Sequence, residues 1–155
     1  YLFWSDLMII VIAAHPFYDM KEFAKSLALR FGTNFQDIDK LSLTKNAGLF
    51  HNPPSKNAVY EGSVFAHKFE GDVARVYVKW SDEFLVKQAM DSGISFEDAN
   101  KNVESAFNDE AEYLKKFFDV DIKDLGVYDL VVSADRLDID GLISVIERYI
   151  NKIKK

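Results

Sequence analysis

The run Leu7 to Ala13 is unbroken in apolar residues and rich in isoleucine and valine. A run of this kind fits a strand buried on both faces, and burying both faces requires other elements above and below the sheet. It is too short to span a bilayer. The segment before it carries Asp6 and no Lys or Arg, so the run does not read as a secretory signal either. The loop His15-Pro16-Phe17-Tyr18-Asp19 follows, and from Met20 the apolar positions Phe23, Leu27 and Phe31 are spaced as on one helix face. Gly32 is a suitable stop. The chain thus opens with a strand–loop–helix unit, the building block of parallel sheets.

The same alternation continues. Phe35 to Leu43 alternates enough to suggest a short strand, and Asn46 to Asn57, with Gly48, Pro53 and Pro54, reads as irregular loop. Ala58-Val59-Tyr60 suggests a strand ending at Glu61-Gly62, and Val73 to Trp80 is another. Ser81, followed by Asp82 and Glu83, predicts a helix start, and Asp91-Ser92-Gly93 breaks that helix. Ser95 with Asp98 resembles a capping box and opens a long helix with Ala99, Val103, Phe107, Leu114 and Phe118 on roughly one face. Gly126 ends that region, and Tyr128 to Ser133 reads as a buried strand. A last helix carries Ile139, Leu142, Ile143, Ile146, Ile150 and Ile153, with Lys152, Lys154 and Lys155 at its end. The expected fold is α/β, a three-layer sandwich with a parallel sheet of up to five strands. Residues 8–155 form one domain in this reading, and residues 1–7 an extension or tag remnant.

The 155 residues have a net charge of −6, which argues against a general nucleic-acid binder. With no cysteine, disulfides, zinc–thiolate sites and cysteine nucleophiles are excluded, in keeping with a cytoplasmic protein. "VIAAHP" resembles the opening of flavodoxin-like quinone reductases, whose turn after the first strand helps seat a flavin phosphate. It also resembles the Ala-His-Pro-Asp-Asp motif of zinc-dependent deacetylases. There Phe17 and Tyr18 replace the paired aspartates, and His15, His51 and His67 are the only histidines, so no metal site is expected.

A longer resemblance comes from the carboxyl-terminal part. Asp121-Ile122, Asp124-Leu125 and Tyr128-Asp129-Leu130-Val131 resemble the end of archaeal-type cytidylate kinases, which are P-loop nucleoside monophosphate kinases. Ser92-Gly93-Ile94-Ser95 is similar to the start of that family's second lid helix, Tyr60-Glu61-Gly62-Ser63 to its Leu-Glu-Gly-Arg, and Ala24 to Ala28 to its first helix. The resemblance implies a P-loop kinase-like fold in which helices at about 82–118 are a two-helix lid remnant, and it implies ATP and Mg²⁺ as the family's cofactors.

It also places a phosphate loop, G-x-x-x-x-G-K-[ST], on Ala14, His15, Pro16, Phe17, Tyr18, Asp19, Met20 and Lys21. Every consensus position is changed. The glycines would let amides turn toward phosphate; Ala14 and Asp19 carry a Cβ and Pro16 has no N–H. Met20 stands for the lysine and Lys21 for the Mg²⁺-holding hydroxyl. Lys21 is rotated about 100° along a helix from the missing lysine's position. At the family's lid arginines stand Phe84, Lys87, Asp91, Ala106 and Tyr113, of which Lys87 alone is positive, and Ser63 replaces the acceptor-motif arginine. The acceptor region, residues 33–60, looks shortened.

The expectation is therefore a non-catalytic homologue with no catalytic residue, no cofactor and weak or no nucleotide binding. It would serve as an interaction protein for an unknown protein partner through a vacated cleft lined by Phe17, Tyr18 and Phe84. The competing expectation is a working (d)CMP or nucleoside monophosphate kinase with an atypical loop, drawing charge from Lys21, Arg30, Arg75 and Lys87.

Overall fold

The computed structural model describes residues 8–153, and the reading of residues 1–7 falls outside them. The elements run β1 (Ile9–Ala14), α1 (Lys21–Arg30), β2 (Asn34–Phe35), α2 (Lys40–Lys45), β3 (Ala58–Glu61), α3 (Ser63–Lys68), β4 (Val73–Lys79), α4 (Asp82–Met90), α5 (Phe96–Phe118), β5 (Leu130–Ser133) and α6 (Ile139–Lys152). The five strands form one sheet in the order β2-β3-β1-β4-β5, and every pairing is parallel. The expected α/β three-layer sandwich is what the chain builds.

The central strand explains the two cores. Successive side chains of a strand point to opposite faces. Ile10 and Ile12 meet α1, α4 and α6 through Phe23, Leu27, Leu85, Leu142 and Ile146. Ile9, Val11 and Ala13 meet the other layer, with Leu43 of α2, Phe65 of α3 and Leu114 and Phe118 of α5. The helix α5 belongs to both: Ala99 and Val103 sit in the first core, Leu114 and Phe118 in the second. At about 34 Å it is long enough to pass from one layer to the other, and midway its Phe107 ring lies 5.4 Å from the ring of His15, in the loop after β1. The helices α4 and α5 are those expected as the lid remnant, and both start at their expected caps. Ser81 accepts from the Phe84 amide and Ser95 from the Asp98 amide.

Three expectations need correction. The strand over Phe35 to Leu43 is only Asn34–Phe35, and Asp39 instead caps α2, its carboxylate accepting from the Ser42 amide at 2.8 Å. The loop from Asn46 contains a 3-10 turn, Ala47–Phe50, whose Phe50 is buried. The strand β5 is an edge strand with half-exposed residues, not a buried one. It is anchored through Asp129, whose carboxylate accepts from the Arg75 amide at 2.7 Å while its own amide donates to the Arg75 carbonyl at 2.8 Å.

Candidate functional site

In parallel sheets ligands gather at the carboxyl ends of strands where the connections diverge. Here β1 and its neighbour β3 end side by side, Ile12 opposite Glu61. Two strand-to-helix junctions therefore meet, one over Ala14 to Lys21 and one over Glu61 to Ser63.

The first junction is filled by its own side chains. The Phe17 amide donates to His15 Nδ1 at 3.1 Å, the Tyr18 amide to the His15 carbonyl at 2.9 Å, and the Lys21 amide to the Asp19 carboxylate at 3.0 Å. The Met20 amide serves the Glu61 carboxylate and favours its ionised form. Because Nδ1 accepts, the neutral His15 imidazole carries its proton on Nε2. Burial lowers the His15 pKa, and Asp82 partly offsets that. Met20 is fully buried. Tyr18 stacks on Trp80 at 3.9 Å, and Trp80 stacks in turn on Phe84 at 5.9 Å. Phe17, Tyr18 and Phe84 are partly buried and pack against the first core.

The second junction is a single glycine. Gly62 has φ +131° and ψ 146°, and its amide donates to the Ile12 carbonyl at 2.9 Å, which ties the two junctions together. The next residue, Ser63, is buried and begins α3. Glu61 points toward a cleft of about 350 Å³ between α2, α3 and α5, lined among others by Lys21, Leu43, Phe65, Glu110 and Tyr113. Burial raises the Glu61 pKa, and Asp19 and Glu110 push the same way, against the Met20 amide and Lys21. The segment that looked too short for an acceptor lobe supplies one wall of this cleft, through Ile38, Leu41 and Leu43. A second hollow of about 340 Å³ lies on the other side of His15, bounded by Asp82, Asn100, Glu104, Phe107 and Asn108.

The cations named as substitutes are occupied elsewhere in three cases. Lys21 pairs with Asp37 at 3.5 Å, and Arg30 with Glu147 at 3.1 Å. The Arg75 guanidinium donates to the carbonyls of Ala66 and Phe69 at 2.7 and 2.5 Å. Lys87 lies in the last turn of α4. Residue counting along the sequence misses the cleft itself, because Lys40 and Glu110, which form an ion pair across it, are far apart in the chain.

No family model matches the chain. It is 27% identical over 101 residues to the cytidylate kinase of Methanothrix thermoacetophila, a match that takes in 64% of this chain and 58% of that protein. It is 42% identical over 41 residues to the cytidylate kinase of Methanocella arvoryzae, or 26% of this chain and 23% of that one. To the cytidylate kinase of Methanosphaera stadtmanae it is 23% identical over 125 residues, 80% of this chain and 70% of the relative. The chain thus spans only part of the curated relatives it matches. Among solved structures, an uncharacterized protein from Eubacterium ventriosum superposes with a TM-score of 0.74 at 16% identity, over 94% of this chain and 99% of that one. Shikimate kinase from Bacteroides thetaiotaomicron superposes with a TM-score of 0.51 at 10% identity, over 94% and 98%.

The fold is an α/β kinase-like sandwich. The relatives are kinases that work with ATP and Mg²⁺, so the expectation of no cofactor is corrected: ATP and Mg²⁺ belong to the proteins this kinase-like chain resembles. A triphosphate in such a fold needs inward amides, a lysine and a hydroxyl for Mg²⁺. In the loop Ala14 to Lys21 the Phe17, Tyr18, Met20 and Lys21 amides serve the chain's own acceptors and Met20 is buried, an arrangement that does not fit a triphosphate.

Proposed function

We propose that this chain is a nucleoside monophosphate kinase homologue that does not transfer a phosphoryl group and acts as a binding protein. The observation that carries the reading is the engagement of the Phe17, Tyr18, Met20 and Lys21 amides by His15, Glu61 and Asp19. Phosphoryl transfer depends on prearranged positive potential around the moving group. A loop that spends its donors internally, lacks the Pro16 N–H and adds the Asp19 carboxylate offers little of it. In this reading the eight residues Ala14 to Lys21 are a degenerate phosphate loop, Glu61, Gly62 and Ser63 are the acceptor-motif remnant, and Lys87 is the residual cation of the lid. The ligand-facing part of the molecule is the cleft beside Glu61, and a protein partner docks nearby.

The test is a coupled assay for ADP, with Mg²⁺–ATP and each nucleoside monophosphate in turn. The expected result is no ADP formation above a protein-free blank. ADP formation that depends on an added monophosphate overturns the reading in favour of an active kinase with an unusual loop.

A further inference from the structure

The cleft between α2, α3 and α5 has a charge pattern at odds with a phosphorylated ligand. Two lysines and three carboxylates line it: Lys21, Lys40, Asp39, Glu61 and Glu110. Lys21 pairs with Asp37 and Lys40 with Glu110. Asp39 is spent capping α2. Glu61 remains, with the Met20 amide beside it; Lys21 attracts it from nearby but is itself paired with Asp37, and no salt bridge to Glu61 forms among the described residues. A confined carboxylate with no salt-bridged partner of its own repels an anion and attracts a cation. The rest of the lining is largely apolar, including Leu43, Phe65, Leu114 and the Tyr113 ring. A hollow of about 350 Å³ is within the size range of small-molecule sites.

We propose that this cleft binds an amphiphilic organic cation, a ring with an amine-bearing arm, whose ammonium pairs with Glu61 while the ring lies against Leu43, Phe65 and Leu114. This inference rests on the reading of the chain as a non-transferring binding protein and names the ligand class for its cleft. The two ion pairs act as its selectivity. Both lysines that an incoming carboxylate or phosphate would seek are neutralised by the chain's own acids, so an anion has to break a pair to enter. The site is formed by side chains from the segment after β2, from the β3–α3 junction and from α5, so it exists only in the folded chain.

The experiment uses the whole chain and four probes at about 10 mM: 2-phenylethylamine, its neutral analogue 2-phenylethanol, its anionic analogue phenylacetate, and CMP with Mg²⁺–ATP. Binding to the native state raises the melting temperature. The amine is expected to raise it by about 2 °C, the alcohol by less, and phenylacetate and CMP not at all. Glu61→Gln is expected to weaken the amine at least about tenfold and leave the alcohol unchanged. Glu110→Gln, which frees Lys40, is expected to raise the response to phenylacetate, and this second variant keeps the test alive if the first folds poorly. No shift with the amine, an equal shift with phenylacetate or CMP, or undiminished amine binding by Glu61→Gln overturns the inference. ADP measured in the CMP samples decides the separate matter of transfer: ADP formation overturns the non-transferring reading, whereas failure of the amine without ADP overturns this ligand class alone.

Discussion

The two strand-to-helix junctions of this protein lie side by side at one edge of the sheet and have opposite designs. After β1, six residues separate strand from helix, and bulky side chains occupy the space: Met20 is buried, Tyr18 is stacked on Trp80, and the amides are satisfied within the chain. After β3, one glycine makes the turn, and Glu61 is left at a cleft with no salt bridge to it among the described residues. The first junction resembles a piece of core, while the second keeps a polar group facing a hollow. The contrast teaches that in a parallel α/β fold the strand ends supply the place for a ligand, and the loop residues decide whether the backbone faces outward to hold one.

The largest effect should come from reversing the first junction. Met20→Lys places a lysine at a position with no exposure at all. An unpaired ammonium there costs about 3–5 kcal/mol. Urea denaturation at neutral pH should show that loss, and phosphoryl transfer should not appear. A variant that keeps the parent's stability and forms ADP would mean that the loop is a working cradle and that the contrast between the junctions is false.

The second junction should break through its backbone. At φ +131° Gly62 occupies a region closed to side chains, and an added Cβ would meet only the Phe65 ring, at 3.6 Å. The cost of Gly62→Ala is therefore conformational and not a matter of crowding, about 1–3 kcal/mol. Because the Gly62 amide bonds the Ile12 carbonyl, amide exchange at Gly62 should quicken in the variant. Unchanged stability would show that the turn has another accessible shape.

How much of this was legible in the sequence depended on how strongly each segment was determined locally. The buried run of β1, the serine caps of α4 and α5 and the isoleucine stripe of α6 are strong local signals, and all formed. Phe35 to Leu43 reads as a strand because a short alternating segment suits either element. The Asp39 cap settles the matter, and of that helix only Leu43 is buried. The helix α3 was missed because its six residues follow a glycine that also suits a simple turn. The strand β5 was read as buried because apolar composition says nothing about whether another strand lies beyond it. At the first junction the bulky and acidic residue types were readable. The inward packing of Tyr18 and Phe84 on Trp80 was not, nor was the pairing of Lys40 with Glu110, since both depend on contacts distant in sequence.

The smallest effect, and the sharpest on charge, is at Glu61. Burial, with Asp19 and Glu110 adding to it, raises its pKa above the ordinary glutamate range. Between the unfolded and folded values the native state therefore holds more protons than the unfolded chain, so stability falls as pH rises through that window and stays lowered above it. Glu61→Gln removes the penalty. The variant should match or fall below the parent near pH 4 and exceed it near pH 7, read from urea denaturation across about pH 4 to 8. His15 and His67 act in the opposite sense. Burial lowers both pKa values, so stability is lost as pH falls below about 6.5 in parent and variant alike. The difference between the two profiles then belongs to Glu61 alone, since the histidine contribution cancels. Parallel profiles would show a carboxylate in free contact with water, and the second junction would then be no more strained in charge than the first.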